Sequence, residues 1–211
     1  MLKVKYKVYE SSYMIYKRLK ELEYQPLLAF DIETRSIYTN KEVKEASTLL
    51  KEVKYLSRED LILCKTVADS SGLSHPKLSR ITHIALSSNK EECDIFIPQN
   101  PKLLLNWLVG YKGKLLIWNS LFDLKHVHYH TGKFPIDYED PMLLLKSLIN
   151  DAQEYKARVG LKEFMGSYYD PKWSMYEEYN IENPKDKTFL DYIAIDGAAT
   201  YYAWELLKDE L

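Results

Sequence analysis

The sequence predicts a mixed α/β sandwich, and three observations carry that reading. Two short apolar runs, Leu27-Leu28-Ala29-Phe30 and Leu115-Leu116-Ile117-Trp118, have the character of strands buried on both faces. Segments 4–9 and 81–87 are also of strand character. From Asp140 onward the apolar residues recur at helical spacing almost to the end. Strands early, βα units in the middle and helices late describe a sheet covered by helices.

Each element follows in order. Residues 4–9 alternate as a short strand, and 11–22 space Tyr13, Ile15, Tyr16, Leu19 and Leu22 as an amphipathic helix. The run 27–30 is a central strand ending at Asp31. Between 37 and 79, Val43, Ala46, Leu49, Leu50, Val53 and Leu56 fall at helical spacing among lysines and glutamates. Ser57 with Asp60 then resembles a capping box that opens a second helix through 61–63. This stretch reads as a helical insertion after the first core strand. Residues 81–87 and 94–98 form two strands joined by a polar turn, 102–109 a helix, and 115–118 a further strand. Helices are expected from about 122, over 142–148 and 161–168, and from about 186 to near the end.

A chain of 211 residues suits one domain, 1–211, carrying that insertion. With 46% apolar and 28% charged residues it is neither disordered, collagenous nor membrane-spanning. Cys64 and Cys93 are too few for a disulfide scaffold or a Cys-rich zinc site, and two thiols suit a reducing compartment. Lysines interrupt any apolar segment near the start, so secretion is not expected and a cytoplasmic or similar compartment is. The final Lys208-Asp209-Glu210-Leu211 reads as the charged end of a helix rather than a retention address. The formal charge of −2 provides no global field for a polyanion, so any nucleic-acid contact must be local.

The chemistry gathers at element ends. Asp31 and Glu33 follow the first buried strand, and in extended chain their carboxylates share one side about 7 Å apart. Two anions there repel unless a cation sits between them. Asp123 follows the second buried strand, where open α/β sheets collect their sites, although an Asp at that point also suits a helix cap. Tyr192 and Asp196 lie four apart on the final helix, flanked by Ile193, Ala194, Ile195 and Ala198, so an acid on an otherwise apolar helix needs a partner. Two carboxylates from one strand, one from beside a neighbouring strand and one from a packed helix are what a pair of hard divalent ions requires for in-line phosphodiester hydrolysis.

Phe30-Asp31-Ile32-Glu33-Thr34, Asn119-Ser120-Leu121-Phe122-Asp123 and Tyr192-Ile193-Ala194-Ile195-Asp196 resemble, in order, the three motifs of the DEDDy branch of the DEDD 3′-5′ exonuclease superfamily. The compact interval from Asp123 to Asp196 narrows the likeness, as do Asp140-Pro141-Met142-Leu143-Leu144 and Gly160-Leu161-Lys162-Glu163-Phe164. Together they are most similar to the proofreading domain of family A, polymerase I-like DNA polymerases, with ribonuclease D similar in the same places. The long interval from Asp31 to Asp123 departs from that group, and the insertion accounts for the excess.

The resemblance implies a ribonuclease H-like mixed sheet flanked by helices. It also implies removal of nucleoside monophosphates from single-stranded or frayed DNA 3′ ends, with two Mg²⁺ or Mn²⁺ ions. Asp31, Glu33 and Asp196 would ligate one ion, Asp31 would be shared with a second near Asp123, and Tyr192 would orient the attacking water. Thr34 and Asn119 would hold the terminal nucleotide, and a DNA polymerase domain or subunit is an implied partner; no membrane is. Lys156 and Arg158 are candidates for backbone phosphate contacts, against the plainer reading of an exposed loop. Phe122 is expected in the core. His126, His128 and His130 lack the partners of a zinc set. Tyr168, Tyr169, Tyr176, Tyr179 and Trp173 suit either base stacking or packing. Two rivals remain open: an RNA-trimming enzyme similar to ribonuclease D, and a non-catalytic module that binds nucleic acid or a protein.

Overall fold

The computed structural model describes residues 3–53, 55–69, 75–149, 159–174 and 183–209. In chain order the elements are β1 (Lys5–Tyr9), α1 (Ser12–Leu22), β2 (Leu27–Ser36), α2 (Asn40–Glu52), α3 (Arg58–Asp69), β3 (Ser79–Ser87), β4 (Glu92–Phe96) and α4 (Lys102–Gly110). They continue with β5 (Lys114–Leu116), α5 (Ser120–Thr131), β6 (Tyr138–Glu139), α6 (Pro141–Leu148), α7 (Leu161–Tyr168) and α8 (Lys187–Leu207). Among the described residues six strands form one mixed sheet in the order β1-β4-β3-β2-β5-β6. β3 and β4 are antiparallel, whereas β1 runs parallel to β4, β2 to β5 and β5 to β6. The architecture is the ribonuclease H-like mixed sheet flanked by helices that the sequence predicts.

Two compact units are present, 1–33 with 83–211, and 34–82. The second contains the predicted helices. Thr39 and Glu42 form a reciprocal capping box at the start of α2, and Ser57 accepts from the Asp60 amide at 3.0 Å before α3. Ala46 and Val67 are buried there, whereas Leu61, Ile62 and Leu63 stay exposed.

Three sequence expectations change. β2 does not stop at Phe30 but runs to Ser36, because Ile32 and Thr34 continue the buried face while Asp31, Glu33 and Arg35 take the other. The carboxylates therefore stand inside the strand. β5 is shorter than its apolar run and leaves Trp118 outside it. β6 has two residues, too few to produce a period in sequence.

The register of β2 with β5 ends at Ala29 and Leu116. Past that point the β5 side of β2 opens into a crevice, the usual location of sites in such sheets. One wall is α8, whose apolar residues Phe189, Ile193, Ala194 and Ala198 belong to a core shared with Ile95 of β4. A side-chain carbon at Gly197 would lie 2.9 Å from Ser87 Oγ and 3.2 Å from Cys93 Sγ, so the missing Cβ lets the helix approach the sheet. Burial pushes the Cys93 thiol up to about 12, which leaves it inert packing material.

Gly197→Ala should therefore destabilise the protein even though alanine favours helix. Overpacking costs about 2 kcal/mol and propensity returns about 1 kcal/mol, for a net loss of about 1 kcal/mol and a drop of roughly 2–4 °C in Tm. Calorimetry checks it, and an unchanged or raised Tm would show that α8 does not press on β3 and β4.

Candidate active site

Asp31 and Glu33 of β2, Asp123 of α5, and Tyr192 and Asp196 of α8 line one cleft of about 260 Å³, with Asn119 at its edge. All six belong to the unit formed by 1–33 and 83–211. Ile32, Trp118, Phe122, Leu161 and Thr200 complete the wall.

Local structure aims each group. Asp123 is not a helix cap; it sits within the first turn of α5, and Asn119 occupies the N-cap position in left-handed backbone with φ 56°. Asn tolerates that region better than most residues. The bend turns the Asn119 and Ser120 amides toward Asp140, which accepts both at 3.1 and 2.8 Å and also accepts from Met142 N at 3.0 Å. One buried carboxylate thereby joins the start of α5 to the start of α6. Asp123 Oδ1 accepts from Ile32 N at 3.1 Å, so the amide between Asp31 and Glu33 fixes the third acid against the first two. On α8, Asp186 accepts from Phe189 N at 2.9 Å, and the His83 ring lies 2.8 Å from the Pro184 carbonyl. The entry to the helix bearing Tyr192 and Asp196 is thus pinned to β3.

Burial first, and then crowding, sets the electrostatics. Burial, then the charge of Asp196, pushes the Asp31 carboxyl up to about 8 against the opposing pull of Lys162 and the Ile32 amide. Burial first, then Asp31 and Asp196, raises Glu33 well above the ordinary carboxylate range. Asp123 rises similarly, through burial and then Asp31. Among the described residues a cation within reach is Lys162 at the start of α7, with Nζ 3.9 Å from Asp196 Oδ2 and 4.0 Å from the centre of the Tyr192 ring.

Among the described residues no three acids, histidines or cysteines stand close enough to cage an ion already. The donor set nonetheless fits Mg²⁺ or Mn²⁺: all its members are hard carboxylate oxygens, they repel one another, and Mg²⁺ needs only one or two of them beside its own waters.

Thr34 is buried on the opposite face of β2 from Glu33 and is not part of the cleft lining. Phe122 was expected in the core but is half-buried on the cleft wall, its ring 4.8 Å from His126. Lys156, Arg158, Tyr176 and Tyr179 lie outside the described residues. Trp173 is buried, whereas Tyr169 meets Tyr202 edge-on and stays half exposed. His126 is buried with Nδ1 on the Phe122 carbonyl, and His128 stacks on Phe134. Sequence reasoning missed Trp118, Leu161, Thr200, the Asp140 clamp and Lys162. Only Lys162 left a trace, as a cation in the first turn of a helix where the dipole disfavours one.

No family model and no curated protein matches the sequence. Solved structures do match the fold. Brucella melitensis NrnC aligns with TM-score 0.61 and 14% identity over 99% of this chain and 81% of that one. NrnC has also been solved with bound Mg²⁺ and bound to pGG. Trypanosoma brucei RNase D aligns with TM-score 0.62 and 15% identity over 98% of this chain and 65% of that one, and a complex of it with RNA U12 is known. Escherichia coli RNase D, an exoribonuclease involved in structured RNA processing, aligns with TM-score 0.59 and 13% identity over 98% of this chain and 45% of that one. The chain therefore has the fold of these nucleases and spans under half the length of the last.

Two outcomes follow. Between about pH 4 and 8 the folded, metal-free protein keeps a proton on Asp31 that the unfolded chain releases, and Glu33 and Asp123 shift in the same direction, so stability falls as pH rises through that window. In chelator, Tm should drop by about 3 °C or more from pH 5.5 to 8, and Asp31→Asn should flatten the slope. A flat wild-type profile would mean the acids are neither buried nor crowded as described. Separately, Asp140→Asn replaces one of the two oxygens that accept backbone amides by a donor and should cost about 1–3 kcal/mol in chemical denaturation; a loss below about 0.5 kcal/mol would discount the clamp.

Proposed function

We propose that this chain is a DEDDy-type 3′-5′ exonuclease that releases nucleoside monophosphates from single-stranded 3′ ends, with RNA as its preferred substrate. The observation that carries the reading is the convergence of Asp31, Glu33, Asp123, Asp196 and Tyr192 on one cleft. Asp31, Glu33 and Asp196 are suited to hold one divalent ion, with Asp31 and Asp123 toward a second. Such ions, when bound, stabilise charge on the attacking and leaving oxygens of the displaced phosphodiester. The side chains do the rest. Tyr192, one turn before Asp196, offers its phenol to orient the attacking water. Asn119, exposed at the cleft edge, is the better situated of the two candidates for holding the terminal nucleotide, because Thr34 is buried. Trp118 and Phe122 give the cleft aromatic faces against which a base can stack.

Support for RNA comes from the ligands of the structural neighbours, pGG and U12. The DNA reading rests on the polymerase I-like wording around α6 and α7, and no motif in the sequence senses a 2′-hydroxyl. A proofreading role beside a polymerase has only that wording behind it.

Matched 5′-labelled RNA and DNA oligonucleotides, digested with Mg²⁺, with Mn²⁺ and with chelator, test both parts. The expected result is a ladder shortening from the 3′ end in either metal, none in chelator, and kcat/KM for RNA at least about tenfold above DNA, or roughly 1.4 kcal/mol. Asp31→Ala and Asp196→Ala should each lose about 10³-fold in rate with unchanged circular dichroism. If either acid variant retained a tenth of the activity, the site assignment would fall; a preference for DNA would overturn the substrate alone.

A further inference from the structure

Lys162 belongs to none of the roles above, yet it meets two of the groups that carry them. It stands in the first turn of α7, after the N-cap Gly160, where the helix dipole opposes a positive charge. Even so, its ammonium lies 3.9 Å from Asp196 Oδ2 and 4.0 Å from the centre of the Tyr192 ring, with the side chain 34% exposed. The position gives an ion pair and a cation–π contact at once. It also offsets part of the repulsion at Asp31 and Glu33, both of which feel its charge.

A divalent ion taken up by Asp196 would bring like charges together beside one carboxylate, a juxtaposition the partly exposed lysine can relieve by swinging its four-carbon stem into solvent. We infer that Lys162 is the resident cation of the metal-free carboxylate cluster and gives way to the divalent ion, so that metal loading here is an exchange of cations. The inference rests on the proposed metal site. Its consequence for Tyr192 is direct: while the ammonium covers the ring, the phenol is held beside Lys162, and exchange frees it for water.

Metal binding and stability test this without any substrate. Lys162→Met keeps the apolar stem over Tyr192 and removes the charge, and Lys162→Gln is a second variant should the first fold poorly. Titration calorimetry with Mn²⁺ should show each variant binding roughly three- to tenfold tighter than wild type, since the competing charge is gone. In chelator each should melt about 2 °C below wild type, having lost the counter-charge. A merely structural lysine would not tighten metal binding. If wild type binds Mn²⁺ and both variants bind it equally or more weakly, the exchange is refuted and the metal site stands. Unchanged melting in chelator refutes the counter-charge role, whatever the metal does. If wild type binds no Mn²⁺, the proposed function falls and the exchange with it.

Discussion

Electrostatic repulsion among carboxylates, enforced by the backbone, is the constraint from which the rest of this cleft follows. Asp31 and Glu33 cannot move apart because they are alternate residues of one sheet strand. Asp123 cannot withdraw while it accepts from the Ile32 amide, and Asp196 rides on a 21-residue helix packed against β4. A solvated cluster would ionise and spread. This one keeps protons instead, with the Asp31 carboxyl up to about 8. A fold that holds acids together at this cost stores a preference for cations.

The scaffold around the cluster maintains that preference through few contacts. The end of the β2–β5 register opens the crevice. Asp140 turns the chain into α5 and, through Asn119 and Ser120, fixes the helix that bears Asp123. Gly197 lets α8 close on Ser87 and Cys93, and Asp186 with His83 holds the start of that helix. Apart from Asn119, none of these residues lines the cleft, so their substitution acts on position rather than chemistry.

Much of this was legible in the sequence because it depends on local pattern. Doubly buried strands announce themselves as apolar runs, and the boxes at Thr39 and Ser57 involve residues three apart, of which the second is predicted from the sequence. The five cleft residues were found from motif wording and element order together. What escaped depends on tertiary geometry. The extension of β2 to Ser36 is polar on one face and looks like a loop. Phe122 was assigned to the core because an aromatic residue in a first helical turn gives no sign of which wall it will join. The Asp140 clamp joins residues some twenty positions apart, and Lys162 acquires meaning only when α7 is set beside α8. The substrate is least legible, since the acids that cut a phosphodiester are blind to the sugar beside it.

The central claim is that the crowded acids are a divalent-ion site. Anomalous scattering from crystals soaked in Mn²⁺ tests it most directly. Two peaks are expected in the cleft, one among Asp31, Glu33 and Asp196 and one toward Asp123, both lost in Asp31→Asn crystals. Saturating Mn²⁺ with no peak in the cleft, in crystals whose cleft is open to solvent, would contradict it.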